Sequence, residues 1–73
     1  MSKPYLSRED ITLEEETLTT FAGAAVTTMW TAIAYGTLNP TKETINMRRT
    51  SRSAGEALTL LREAIEEQGW ELR

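Results

Sequence analysis

The sequence predicts a small, mainly α domain with a long N-terminal helix and a capped C-terminal helix. Three observations favour this fold class: two capping boxes, apolar residues that recur at helical spacing, and a stretch without charge from Thr17 to Thr41 in a chain that is 26% charged. A charge-free stretch of this length is expected to be buried. Because 73 residues bury little apolar surface alone, we expect the burial to involve a partner.

The predicted N-terminal helix begins at the capping box Thr12–Glu15, where the threonine hydroxyl can accept a backbone N–H and Glu15 can reach back. Consecutive acidic residues follow, as the helix dipole favours. One apolar face then runs to Gly36, which could end the helix. Its residues recur at spacings of three and four: Leu18, Phe21, Ala22, Ala25, Met29, Ala32 and Ile33.

Residue types in the same segment favour a different structure. Seven threonines lie between Thr17 and Thr37, and Val26, Trp30 and Tyr35 also prefer strands. The alternative fold is therefore α+β, with a strand over residues 26–38 and a β-hairpin packed on the C-terminal helix. The alternation over residues 43–52 predicts a half-exposed strand with Ile45 and Met47 facing inward.

The C-terminal helix has signals at both ends. Ser53–Glu56 forms a second capping box, and Gly69 can end the helix with Trp70 folded back on Ile65. One face of the helix is apolar and consists of Ala54, Ala57, Leu58, Leu61, Ala64 and Ile65. Residues 1–11 contain Pro4 and mixed charges and are expected to be an exposed leader, followed by a single small domain over residues 12–73.

Composition argues against catalysis and against bound cofactors. The chain has no His and no Cys, which excludes disulfides, the usual zinc and haem ligands and the commonest general base. The carboxylate pairs Glu63/Glu67 and Asp10/Glu14 lie among other charges, with no apolar pocket that would separate their pKa values. We therefore expect no enzyme activity, no metal and no cofactor.

Arg48, Arg49 and Arg52 form the one local basic cluster. They could contact phosphates, but useful binding to DNA takes roughly six or more such contacts, and the chain carries a net charge of −3. Pairing with acidic residues of the same or a neighbouring subunit is the favoured interpretation. A small oligomeric regulator that binds nucleic acid is the alternative function.

The sequence thus favours a non-enzymatic assembly protein, either a homo-oligomer or a subunit of a larger complex, such as a phage structural or host-takeover factor. The N-terminus lacks the pattern of a secretory signal, so a location in the cytoplasm or within a virion is expected. A single membrane span over the charge-free stretch is a third interpretation, which the threonines and a central tryptophan disfavour. The expected interface residues are Phe21, Met29, Trp30, Ile33, Tyr35 and Trp70.

Overall fold

The structure is a computed structural model that describes residues 3–19 and 26–73. Three long strands of this part form an antiparallel sheet with Val26–Leu38 in the centre, and two short strands, Tyr5–Leu6 and Glu71–Leu72, pair in parallel. One α-helix follows the sheet. In chain order the elements are β1 (Tyr5–Leu6), a 3₁₀ helix (Arg8–Asp10), β2 (Ile11–Thr19), β3 (Val26–Leu38), β4 (Glu43–Ser51), α1 (Ala54–Glu67) and β5 (Glu71–Leu72).

The prediction of a mainly α, helical fold is wrong, because no long N-terminal helix forms in the described residues. The capping box Thr12–Glu15 lies in β2, and Gly36, which was expected to end the helix, lies inside β3. The alternative strand over residues 26–38 coincides with β3. The strand predicted over residues 43–52 is confirmed as β4, with Ile45 buried and Met47 packed against the core. Residues 20–25 of the expected helix lie outside the described residues.

The hydrophobic core lies between α1 and one face of the sheet. The helix contacts β3 and β4, and the 3₁₀ helix and β1 close the same side against β3. Leu6 belongs to this core and is fully buried, although it falls within the expected leader. The buried cluster consists of Leu6, Ala32, Ala34, Leu38, Ile45, Ala57, Leu61 and Ile65.

Both predicted ends of α1 are confirmed. The Ser53 hydroxyl accepts a hydrogen bond from the Glu56 backbone N–H at 3.3 Å. Gly69 adopts a φ of 82° and donates its N–H to Glu66 O at 2.9 Å, while the Trp70 N–H reaches Ile65 O at 3.3 Å. These two bonds define a Schellman ending, which turns the chain so that the Trp70 side chain packs against the core.

Gly36 allows the 3₁₀ helix to approach the sheet closely. A Cβ atom at this position would lie 2.8 Å from Asp10 Cβ and would also collide with the Asp10 carboxyl group. Glycine at this point of β3 therefore makes room for the neighbouring segment and does not terminate an element.

The hairpin formed by β2 and β3 extends beyond the rest of the sheet. β4 pairs with β3 only from Trp30 to Leu38, so Glu16–Thr19 and Val26–Met29 pair only with each other. We call these two ranges the hairpin arm. The molecule is 54 Å long, and its radius of gyration of 14.8 Å exceeds the about 11 Å expected for a compact chain of this size. Within residues 3–19 and 26–73, no helix is both long and apolar enough to cross a membrane.

Candidate protein-interaction surface

The face of the three-stranded sheet opposite α1 has no covering layer among the described residues. Residues of its two edge strands are exposed along the whole face, and Tyr35 in the centre is 62% exposed. We call this surface the open face. Its main residues are Thr12, Glu14, Glu16 and Leu18 of β2, Met29, Thr31, Ile33 and Tyr35 of β3, and Asn46, Arg48 and Thr50 of β4.

The register of the strands determines which side chains share this face. Residues directly opposite each other in an antiparallel ladder lie on the same side of the sheet. Ile33 is opposite Thr12 on one side and Arg48 on the other, and Thr31 is likewise opposite Glu14 and Thr50. The hydroxyl oxygens of Thr31 and Thr50 lie 3.0 Å apart, which shows that both side chains stand on the open face.

Between residues 32 and 35, β3 places small residues towards α1 and larger ones on the open face, while Trp30 and Leu38 flank the alanines on the side of α1. Ala32 and Ala34 are fully buried beneath the helix. Ile33 and Tyr35 alternate with them and point to the other side, where only neighbouring side chains of the sheet cover them. The central strand therefore leaves two large apolar side chains, Ile33 and Tyr35, outside the core of the single chain.

Charges of opposite sign lie on the two edges of the open face. Glu14 and Glu16 belong to β2 and Arg48 belongs to β4. These strands are separated by β3, so the charges are about 10 Å apart across the sheet. The ion pair of the described residues joins Arg73 to Glu71 at 3.1 Å and involves none of them.

The structure brings only part of the predicted interface together. Met29, Ile33 and Tyr35 share the open face, because alternate residues of a strand lie on the same side of the sheet. Trp30 and Trp70 instead pack against the core. Phe21 lies outside the described residues.

The three arginines of the basic cluster do not form one patch. Arg48 stands on the open face, Arg49 is opposite Ala32 on the side of α1, and Arg52 follows the end of β4. Arg49 donates from Nη1 to Arg48 O at 2.7 Å, which holds its guanidinium along the strand. A single phosphate surface would need all three side chains on one side.

A groove lies beside α1 on the other side of the molecule. It has a volume of about 340 Å³ and an apolar floor that includes Leu58, Leu61 and Leu72, with Arg8 and Arg62 among its lining residues. A second depression, with a volume of about 540 Å³, shares Arg8, Arg62 and Leu72. The described residues hold no group of three or more acidic, His or Cys side chains that could bind a metal, and leave no buried side-chain nitrogen or oxygen without a partner.

Comparison of the chain with known protein families, with curated proteins and with solved structures finds no match. The surface must therefore be interpreted from its own geometry. Sequence reasoning missed Glu14 and Glu16 as parts of it, because they were assigned to the start of a helix. Thr12, Glu14 and Glu16 occupy alternate positions, which is the spacing of residues on one side of a strand. This spacing identifies the open face only when the strand register is known.

Proposed function

We propose that this protein is a non-enzymatic interaction or assembly protein that acts through the open face and the adjoining hairpin arm. It works as a homo-oligomer or as a subunit of a larger complex. The proposal includes a location in the cytoplasm or in the interior of a larger particle.

One observation carries the proposal: the central strand buries its alanines and leaves Ile33 and Tyr35 on the uncovered side. A domain selected to function alone gains most by turning its large apolar residues inward. Large residues grouped at the centre of an uncovered face, with polar and charged residues around them, are typical of a protein interface.

The hairpin arm supports the same function. Two-stranded ribbons are marginally stable in water unless another layer covers them. In the arm, Leu18 is 47% exposed and Val26 is 65% exposed, so neither has a full set of neighbours in the single chain. Leu18 is opposite Thr27 on the open face, so a partner that covers this face and continues along the arm would also cover Leu18. Val26 is opposite Thr19 and lies on the other side of the arm.

Labelling of introduced cysteines tests the proposal, because the natural chain contains none. Asn46→Cys places a thiol beside Tyr35 on the open face, and Glu63→Cys places one on the exposed side of α1 as a matched control. Both thiols should react rapidly with a maleimide in dilute purified protein. In cells of the source organism we expect Asn46→Cys to react at least roughly tenfold more slowly than in dilute purified protein, while the rate for Glu63→Cys is unchanged.

Equal labelling rates of the two variants in cells would show that nothing covers the open face, and the proposal would be wrong. A slow rate for both variants would also contradict it, because protection would then not be specific to this face.

A further inference from the structure

We infer that the occupant of the open face is a second copy of this chain, stacked sheet against sheet about a two-fold axis parallel to the strands. In this arrangement β2 of one copy lies over β4 of the other, and Glu14 of each copy pairs with Arg48 of its partner. The inference rests on the proposed function and specifies its partner.

The charges on the two edges select this orientation. Two identical sheets can stack face to face with the two-fold axis either along the strands or across them. An axis along the strands exchanges the edges and sets the acidic strand over the basic one. An axis across the strands sets β2 over β2, so that Glu14 and Glu16 would face like charges. Glu14 and Glu16 face the strand that carries Arg48 in the first orientation and face each other in the second, so the first orientation is preferred.

The strand register brings the two charges within reach of each other. Glu14 is level with Thr31 and Thr50, and Arg48 is two residues further along β4. Two residues of a strand span about 7 Å, a distance that an arginine side chain can cover. Within one chain, β3 separates Glu14 from Arg48, so neither charge is used internally by the described residues.

The open face is large enough for such an interface. Its strands contain 9, 13 and 9 residues. At standard strand spacing they cover about 500 Å² in projection, and protruding side chains increase the accessible area. Small specific interfaces take about 600 to 1,000 Å² from each partner. Met29, Ile33 and Tyr35 lie along the two-fold axis, where each approaches the same residue or its neighbour in the second copy.

Two reciprocal charge reversals test the pairing. The Glu14→Arg variant carries two basic residues at these positions, and the Arg48→Glu variant carries two acidic ones. For each variant alone, the dimer dissociation constant should rise roughly 100-fold, since like charges then face each other twice in the dimer. An equimolar mixture should dimerise again, because each chain offers the charge that the other needs. Light scattering measures the mass, and circular dichroism checks that both variants fold.

Cross-linking provides a second measurement that does not depend on charge reversal. With the axis along β3, a bis-maleimide that spans about 10 Å should join Thr31→Cys to its own copy, since stacked sheets lie about that far apart. The reagent should not join Glu14→Cys to itself, but should join it to Thr50→Cys when the two variants are mixed. Self-cross-linking of Glu14→Cys would indicate the other axis and overturn the inferred orientation.

The remaining outcomes separate this inference from the proposed function. A wild-type chain that stays monomeric up to millimolar concentration would refute the second copy as occupant. Slow labelling of Asn46→Cys in cells would then still support a different protein partner. Charge-reversed variants that dimerise as the wild type does, or whose mixture remains monomeric, would refute the Glu14–Arg48 pairing.

Discussion

The two faces of the central sheet use the same strand in opposite ways. On the side of α1, β3 presents Ala32 and Ala34, and the helix packs so closely that both are fully buried. On the open face, β3 presents Ile33 and Tyr35 without a covering layer. Small residues allow close approach of a helix, whereas large residues supply contact area. The helix side stabilises the single chain, and we propose that the open face serves association.

A matched pair of isoleucines gives the largest expected contrast between the faces. Ile65 is 1% exposed in the core, and Ile33 is on the open face. We expect Ile65→Ala to lower the free energy of unfolding by about 2 to 5 kcal/mol at every protein concentration. Ile33→Ala should lower it by about 1 kcal/mol in dilute protein.

Chemical denaturation at a low and a high protein concentration checks this contrast. The free energy of unfolding of the wild type should rise with protein concentration, whereas that of the Ile33→Ala variant should not. Equal destabilisation by the two substitutions in dilute protein would mean that the open face is part of the monomer core.

A side chain added at Gly36 tests how tightly the helix side is packed. Gly36→Ala should reduce stability by about 1 to 3 kcal/mol, because its Cβ atom would collide with Asp10. In an Asp10→Gly background the same substitution should have a smaller effect, since the colliding side chain is gone. An unchanged effect in the double mutant would show that Asp10 is not the obstacle.

Loss of the N-terminal cap of α1 should affect the helix side alone. Ser53→Ala removes the hydroxyl that accepts the Glu56 N–H and should lower stability by about 1 kcal/mol. The dimer dissociation constant, corrected for the unfolded fraction, should not change. A clear change in association would indicate that the two faces are coupled.

Tyr35→Thr should have the smallest effect on the single chain. The side chain is 62% exposed and threonine also favours a strand, so stability in dilute protein should remain within about 0.5 kcal/mol of wild type. Association, measured by sedimentation, should nevertheless weaken. Unchanged association would remove Tyr35 from the interface.

Local signals predicted the C-terminal half of the fold. Ser53, Gly69 and Trp70 act within one turn of the helix they delimit, so their pattern is sufficient to place both ends. The strand over residues 43–52 was also recognised, because its alternation reflects one buried and one exposed side.

The N-terminal half was misassigned because its helical signals come from sheet contacts. Alanine is a strong helix former, so Ala32 contributed to the predicted helix. In the structure its small side chain allows α1 to pack directly on the sheet. The acidic run that resembles a helix start is an exposed edge strand. Strand propensity of the threonines and aromatic residues decided the structure, helped by pairing of β3 on both sides.

The candidate surface could be predicted only in part. Met29, Ile33 and Tyr35 were predicted as interface residues from their apolar character in a charge-free stretch, and the strand register places them on one face. Their separation from Trp30, and the placement of Glu14 opposite the edge that carries Arg48, depend on strand register, which the sequence does not encode locally.

Hydroxyl-radical footprinting of the unmodified chain tests the central claim most directly. The rate of oxidation of Tyr35, on the open face, is compared with that of Tyr5. The centroid of the Tyr5 ring lies 4.5 Å from Cζ of the Arg73 guanidinium. As protein concentration rises, the account predicts that oxidation of Tyr35 slows severalfold while that of Tyr5 stays constant. The contradicting result is an oxidation rate of Tyr35 that does not change with concentration and is the same in an extract of the source cells. The open face would then not be buried in the working protein.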